Sequence, residues 1–305
     1  FKTAIVEQAE LGGVCLNWGC IPTKALLKSA QVYTYAKHAS GYGIEITGDV
    51  IAPLDKIVAR SRGVADTMSK GVSFLMKKNA VDVINGRGKL AGNGKVQVTA
   101  ADGTEQIVDA EHIILATGSR PREMKFMPVD GHKVISSHEA LILKEMPESM
   151  IVVGSGAIGC EFAYFYAALG VKVTVIEYLP QLLPVADADV SKALERSFRK
   201  MKVGVMVGTT VKEVSVNVEG KCEVRIEGKK GEETLTADVV LSAVGVKSNI
   251  ENIGLEELGI EVKGDKIVVD EYYRTAVKGV YAIGDIVQGP ALAHVASAEA
   301  ICCVE

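Results

Sequence analysis

Aromatic residues are scarce in this chain, at 5% of 305 positions, which argues against an extended base-stacking surface for single-stranded nucleic acid. Excess charge of one sign is missing as well. Lys and Arg number 34 against 38 Asp and Glu, a net charge of −4, so no basic field points to nucleic acid or an anionic membrane. No apolar run is long enough to span a bilayer; segments such as residues 150–153 are strand-sized and end in glycines. The opening FKTAIVE lacks the charged region, apolar run and cleavage site of a signal peptide. It starts without methionine inside a strand-like run, so a truncated start is expected. There are six cysteines, too few for a secreted disulfide scaffold of this length. A reducing cytoplasm is expected, where a close cysteine pair is more often catalytic or metal-binding than structural.

What is present is apolar and regularly punctuated. Hydrophobic residues make up 48%, enough for more than one core, and two domains are expected. Short β-branched runs alternate with longer helical stretches, which predicts an α/β fold. Residues 2–6 read as a strand, 20–38 and 54–78 as helices, the latter with Ile57, Val58, Val64, Met68, Val72 and Leu75 on one face. Residues 81–87 and 95–99 read as strands of a hairpin with Gly92-Asn93-Gly94 at or near its turn. Residues 113–116 form a buried strand running into Thr117-Gly118-Ser119. A new unit follows Pro147: strand 150–153, helix 157–169 closed by Gly170, strand 171–176, a βαβ unit. Helix 187–201, strand 203–207, a polar antiparallel meander through residue 235, and strands 239–244 and 280–283 complete it. The last strand ends at Gly284-Asp285, and residues 294–305 begin a helix.

The run Gly12-Gly13-Val14-Cys15-Leu16-Asn17-Trp18-Gly19-Cys20 carries the strongest signal. Two cysteines five apart could bridge if the first lies just before a helix and the second in its first turn. Flanking glycines permit a tight turn and close ligand approach. A thiol at a helix N-terminus has its thiolate favoured, and the thiolate drives disulfide exchange. Half a zinc site and a pair of buried structural cysteines are the competing explanations. Zinc needs a second pair of ligands, and no His or Cys cluster supplies one, so spacing favours redox chemistry and no metal site is expected.

Gly154-Ser155-Gly156-Ala157-Ile158-Gly159 follows a strand and opens a helix, and Glu177 closes the next strand. Such glycines let backbone N–H groups hold a pyrophosphate, and the acidic residue can accept from a ribose 2′-hydroxyl while repelling a 2′-phosphate. With no arginine in Tyr178-Leu179-Pro180, NAD is favoured over NADP; the alternative is a tight structural turn with a surface Glu. Glu7 resembles the same acidic position in another dinucleotide fold, but taken alone is an ordinary exposed carboxylate. For Asp285, turn or capping chemistry competes with ligand contact. Cys160 and Cys222 are expected as buried small hydrophobes, and Cys302 and Cys303 as helical core. His38, His112, His132 and His138 are isolated and receive no role. Lys24 and Glu161 are solvated charges by default.

Residues 11–27 closely resemble the redox motif of the dihydrolipoamide dehydrogenases, a branch of the pyridine nucleotide–disulfide oxidoreductases. Residues 281–296, with Gly284-Asp285 and Leu292-Ala293-His294, resemble that family too, as does the motif from 153 to 161. Leu16, Ile21 and Ala25-Leu26-Leu27 lean toward the lipoamide branch rather than glutathione or mercuric reductases. The resemblance covers essentially the whole chain, in order. It implies two Rossmann-like dinucleotide-binding domains built as three-layer sandwiches with antiparallel meanders: FAD on residues 1–119, NAD on 120–270, and 271–305 returning to the FAD side.

The resemblance also assigns roles. Glu7, Gly12, Gly13, Gly88, Thr117, Gly118, Ser119, Asp285, Leu292, Ala293 and His294 match FAD contacts, with Cys15 also lining that site. Lys24 matches a residue beside the flavin, in a buried pair with Glu161. Gly154, Gly156, Ile158, Gly159, Glu161, Glu177, Val211 and Gly245 match NAD contacts. A dihydrolipoyl thiolate attacks Cys15 of a Cys15–Cys20 disulfide, and electrons pass from Cys20 to FAD and on to NAD⁺. The implied partners are a lipoyl domain of an acyltransferase or H-protein and a second copy of the chain, whose C-terminal domain supplies a His–Glu acid–base pair. That domain and the first FAD strand with its glycine loop are not in the sequence, and His294 is not the catalytic histidine. Val246-Lys247-Ser248-Asn249 replaces an arginine-containing run usual in the family, and Trp18 and Thr23 are variations that the motif tolerates. Another FAD-dependent disulfide reductase, or a lipoamide-binding module without turnover, is the alternative.

Overall fold

A computed structural model describes every residue of the chain except Asn93. The helices used below are α1 (Gly13–Asn17), α2 (Cys20–Lys37), α3 (Leu54–Lys78), α4 (Ser137–Ala140), α5 (Ala157–Ala168), α6 (Ala188–Lys200) and α7 (Ala293–Val304). The chain divides into two compact units: residues 1–17, 66–120 and 246–305 form one, and 18–65 with 121–245 the other.

The second unit is a three-layer sandwich. Its central sheet runs Gly204–Val207, Lys172–Glu177, Ser149–Val153, Val239–Ser242, Val134–Ile135, all parallel. Strands buried on both faces need apolar side chains at consecutive positions, and SMIVV and VVLS supply them. Met150 and Val152 point into one core, with Phe162, Phe165 and Tyr166 of α5, Phe198 of α6 and Leu26 of α2. Ile151 and Val153 point into the other, against a meander of Thr210–Val216, Cys222–Gly228 and Gly231–Ala237. That meander alternates buried Cys222, Val224 and Ile226 with exposed Arg225 and Glu227, the period of a one-sided sheet. Helix α5 ends as the sequence predicts: Gly170 at φ +98° follows Leu169, and the N–H groups of Gly170 and Val171 donate to Ala167 O and Tyr166 O. This is the Schellman arrangement, in which a left-handed glycine satisfies the last carbonyls.

The first unit holds two parallel strand pairs, Ala4–Glu7 with Asp82–Asn85 and Ile113–Leu115 with Val280–Ala282. A meander of Arg87–Gly92, Lys95–Thr99 and Glu105–Asp109 accompanies them. Leu90, Leu115, Ile253, Leu255, Ile267, Val280 and Ile286 form its core.

Three expectations need correction. Residues 81–87 are not the hairpin partner of Lys95–Thr99. The run breaks at Gly86, at φ +154°, where a Cβ would lie 2.7 Å from Val98 Cγ1. Asp82–Asn85 turns to Ala4–Glu7, and the hairpin starts at Arg87; Asn93 of the expected turn lies outside the described residues. The apolar face of α3 is buried over its first half only, at Leu54, Ile57 and Ala65, while Met68 and Leu75 are exposed. Cys302 and Cys303 are helical but not core: the first is exposed and the second half-buried. Cys160 and Cys222 are buried, as expected.

Candidate active site

The redox run folds as two helices meeting at a glycine. Cys15 lies within α1, Cys20 is the first residue of α2, and the two are disulfide-bonded. Gly12 and Gly13 enter α1 at φ +107° and +68°, which L side chains avoid. The Asn17 amide donates to Leu11 O at 3.0 Å and Gly13 O at 3.1 Å, closing the short helix on itself. Thr23 donates twice to Gly19 O, through its N–H at 3.1 Å and its hydroxyl at 2.7 Å. Cys15 is half-buried and Cys20 exposed, so the bridge is open to exchange. Cys20 also sits where the partial positive charge of an 18-residue helix favours a thiolate.

One turn into α2, Lys24 forms an ion pair with Glu161 of α5. The expected pairing is therefore present, but not buried: the side chains are 60% and 30% exposed. Helix α2 packs its other face, Ala25, Leu26 and Ala30, into the core, which leaves Lys24 on the outer side.

The second glycine motif sits at the carboxyl end of Ser149–Val153. Gly154, at φ +99°, could not carry a Cβ, which would lie 2.4 Å from Ala243 O; at Gly159 a Cβ would meet Gly154 O at 2.0 Å. Gly154 is set by the end of the neighbouring strand, and Gly159 by packing of α5 against the glycine turn. Gly156 differs: nothing stands within 4 Å of where its Cβ would be, at the N-terminus of the 12-residue α5. That open approach fits a pyrophosphate. Ile158 faces outward beside it.

Glu177 is buried, and its carboxylate accepts from Ser155 N at 2.8 Å, Ser155 Oγ at 2.7 Å and Leu179 N at 2.8 Å. A carboxylate has about four acceptor sites, so one remains, on Oε1, for a ribose hydroxyl. Ser155 is wholly buried, and its role was not legible from the motif. Cys160 lies beside this motif, and burial, with Glu177 and Glu161 adding to it, pushes its thiol up to about 12. It stays protonated at neutral pH and is no second redox group. Val211 is buried in the meander core, and Gly245, at φ +100°, is exposed beyond Val239–Ser242.

In the first unit, two parallel strands end side by side. Ile113–Leu115 leads to Thr117, Gly118 and Ser119, and Val280–Ala282 to Gly284 and Asp285. Ser119 donates to Asp285 Oδ2 at 2.5 Å. The Asp285 carbonyl accepts from Ser248 Oγ at 2.8 Å and from Lys266. The Gly284 N–H donates to Glu299 Oε2 at 2.5 Å, and Glu299 is buried on α7. Spacing alone did not reveal Lys266 or Glu299. Thr117 is exposed and tied to Asn249 O at 2.6 Å. Leu292, Ala293 and His294 open α7 on the surface. Glu7 is half-buried and accepts from Ala9 N at 2.8 Å; Gly88 lies against Val6. Lys247 and Arg120 both reach Glu251, and the two cations hold its carboxyl far below the usual range. Among the described residues no cluster of His, Cys, Asp or Glu could hold a metal ion, and no helix is long and apolar enough to cross a membrane.

The family model for pyridine nucleotide-disulphide oxidoreductases matches residues 1–300. The chain belongs to that family. It is 50% identical over 305 residues to a dihydrolipoyl dehydrogenase of Chlorobaculum tepidum, covering 100% of this chain and 65% of the relative. It is 39% identical over 312 residues to the mitochondrial dihydrolipoyl dehydrogenase of Canis lupus familiaris, covering 100% of this chain and 61% of that one. Among solved structures, LpdA from Mycobacterium tuberculosis superposes with a TM-score of 0.91 at 29% identity, over 99% of this chain and 65% of that chain. The HOCl-induced flavoprotein disulfide reductase RclA of Escherichia coli, as a Cu(II) complex, superposes at 0.85 with 25% identity, over 98% and 64%. The chain thus spans about 65% of the length of Chlorobaculum relatives it matches.

Proposed function

We propose that the protein oxidises protein-bound dihydrolipoamide to lipoamide at the expense of NAD⁺, as the dihydrolipoyl dehydrogenase component of a 2-oxoacid dehydrogenase or glycine-cleavage complex. The observation that carries this reading is the open Cys15–Cys20 bridge one turn before the Lys24–Glu161 pair. One substrate thiolate attacks Cys15 Sγ, the Cys15–Cys20 bond breaks, and Cys20 leaves as a thiolate. The second substrate thiol then attacks the mixed disulfide and expels Cys15, so the substrate is oxidised and the pair reduced by two electrons. Lys24 places a positive charge near the Cys20 end of α2, which favours the thiolate. FAD, when bound, supplies the two-electron acceptor for the reduced pair, and NAD⁺ the final hydride acceptor.

Glu7, Gly12, Gly13, Gly88, Thr117, Gly118, Ser119, Asp285, Leu292, Ala293 and His294 would hold FAD, on residues 1–119 with 271–305 returning to them. Gly154, Gly156, Ile158, Gly159, Glu161, Glu177, Val211 and Gly245 would hold NAD, on residues 120–270. A lipoyl domain is the proposed substrate carrier, and a homodimer the working form, with an acid–base pair from the second copy. A reducing compartment such as the cytoplasm fits the four free thiols, Cys160, Cys222, Cys302 and Cys303.

The test is turnover of the full-length protein with dihydrolipoamide and NAD⁺. Turnover is expected, with NADP⁺ a poor substitute because Glu177 repels a 2′-phosphate. No turnover, together with NADPH-driven reduction of glutathione disulfide or Hg²⁺, would overturn the proposal. Lipoamide binding that survives Cys20→Ser while the wild type shows no turnover would instead identify a binding module.

A further inference from the structure

The single tryptophan of the chain lies inside the redox ring, between Cys15 and Cys20. It is held on both faces. The Arg62 guanidinium sits 4.0 Å from the centre of the Trp18 ring. On the other face the His138 imidazole stacks at 3.7 Å between centroids, with 23° between the planes. A cation over the negative face of an indole and an imidazole stacked on it each hold the ring more firmly than burial alone.

Both jaws stand on fixed elements. Arg62 follows Ser61 on α3, whose hydroxyl donates to Pro22 O at 2.8 Å, while Arg60 donates to Ala25 O at 2.8 Å. These bonds tie α3 to α2. His138 stands on α4, whose start is fixed by a reciprocal capping box between Ser136 and Glu139. Its Nδ1 also lies 3.5 Å from Glu139 Oε1. On the other side of Trp18 in sequence, buried Asn17 is anchored by its two amide bonds. The two central residues of the six-residue ring are thus both held, Asn17 from within its own run and Trp18 from α3 and α4.

We propose that Trp18, clamped between Arg62 and His138, is a positioning residue that keeps the two sulfurs apposed after reduction and so sets the reduction potential of the pair. Reduction breaks the Cys15–Cys20 bond and delivers two electrons and two protons from a dithiol, which closes to its own disulfide. The more firmly the separated thiols are held together, the more the equilibrium favours re-forming the bond. An untethered ring gains freedom only in the reduced state, so loss of the clamp makes the pair easier to reduce. The inference rests on the reading of Cys15 and Cys20 as a cycling pair, but not on the identity of the substrate.

The experiment equilibrates the full-length protein with mixtures of oxidised and reduced dithiothreitol and counts reduced Cys15 and Cys20 by alkylation and mass spectrometry. For Trp18→Ala the equilibrium constant for reduction rises about threefold to tenfold, about 15–30 mV at 29.6 mV per tenfold. Trp18→Phe, which keeps an aromatic ring between the jaws, stays within about twofold of the wild type. Arg62→Leu and His138→Leu each strip one face and give intermediate shifts; they also serve if Trp18→Ala does not fold. Unshifted potentials in Trp18→Ala, or in both jaw variants, overturn the proposal, even where the melting temperature falls, because that pattern is packing alone. A wild-type pair that no dithiol reduces overturns the cycling reading itself and this inference with it.

Discussion

Asp238 is the residue whose loss should tell most clearly how the five-stranded parallel sheet is held. It precedes the strand Val239–Ser242, next to Ser149–Val153 in the central sheet. Its Oδ2 accepts from Ser149 N at 2.8 Å and Ser149 Oγ at 2.9 Å, its own N–H donates back to Ser149 Oγ at 3.0 Å, and Lys221 pairs with Oδ1. The Lys221 hydrogen bond is the largest cause holding its carboxyl down, and the Ser149 donors add to it against partial burial; together they bring it from 3.8 to about 2. A fall of nearly two units corresponds to about 2 kcal/mol of stability, since the side chain is mostly shielded. The sign follows from the depression. The contribution is fully present above the unfolded carboxylate value near 4 and is lost as pH falls toward about 2. Asp238→Asn should therefore cost about 2 kcal/mol at pH 7, read by urea unfolding, and should lack this share of the wild type's acid loss between pH 4 and 2. Its effect on the KM for NAD⁺ should be small, because Gly154 and Gly245 lie at the opposite ends of these strands. A variant within about 0.5 kcal/mol of wild type at pH 7, or one with the same acid profile, would refute the reasoning.

Gly159→Ala should act in the reverse manner. Its Cβ would stand 2.0 Å from Gly154 O, so α5 must shift away from the glycine turn. NAD⁺ use should fall on the order of a hundredfold while the Cys15–Cys20 pair still reacts with dithiol, a split readable by comparing turnover with thiol titration. Lys24→Met should move the melting temperature little, because the pair with Glu161 is exposed. Turnover should nevertheless fall on the order of a hundredfold if its charge serves the Cys20 thiolate, and a variant that turns over normally would dismiss that role.

Much of the site was legible because its demands are local. A φ beyond +60° at Gly12, Gly13 and Gly154, or a Cβ at Gly159 that would meet Gly154 O five residues back, calls for glycine within one short stretch of sequence. The βαβ unit was legible for a similar reason, since a strand buried on both faces needs consecutive apolar residues, and Met150, Ile151, Val152 and Val153 supply them just before a glycine turn. Partnership across long separations was not legible. Residues 81–87 carry a good strand pattern, but nothing in them names Ala4–Glu7 as the neighbour rather than Lys95–Thr99.

The same limit explains which residues the sequence hid. Ser155 fills the variable place of a glycine motif, and its hydroxyl matters only because Glu177, 22 residues on, returns to it. Glu299 looks like one more helical carboxylate until α7 brings it to the Gly284 N–H. Trp18 is the sharpest instance. Within the redox run it passes for a tolerated variation, since the residue types around it already account for the chemistry. Its two neighbours come from α3 and α4, 44 and 120 residues away, and neither bears any local mark of the encounter. A motif fixes which groups react; the stack that holds them is assembled from residues whose only signal is spatial. The redox equilibrium of Trp18→Ala against Trp18→Phe therefore measures something that the motif could not contain.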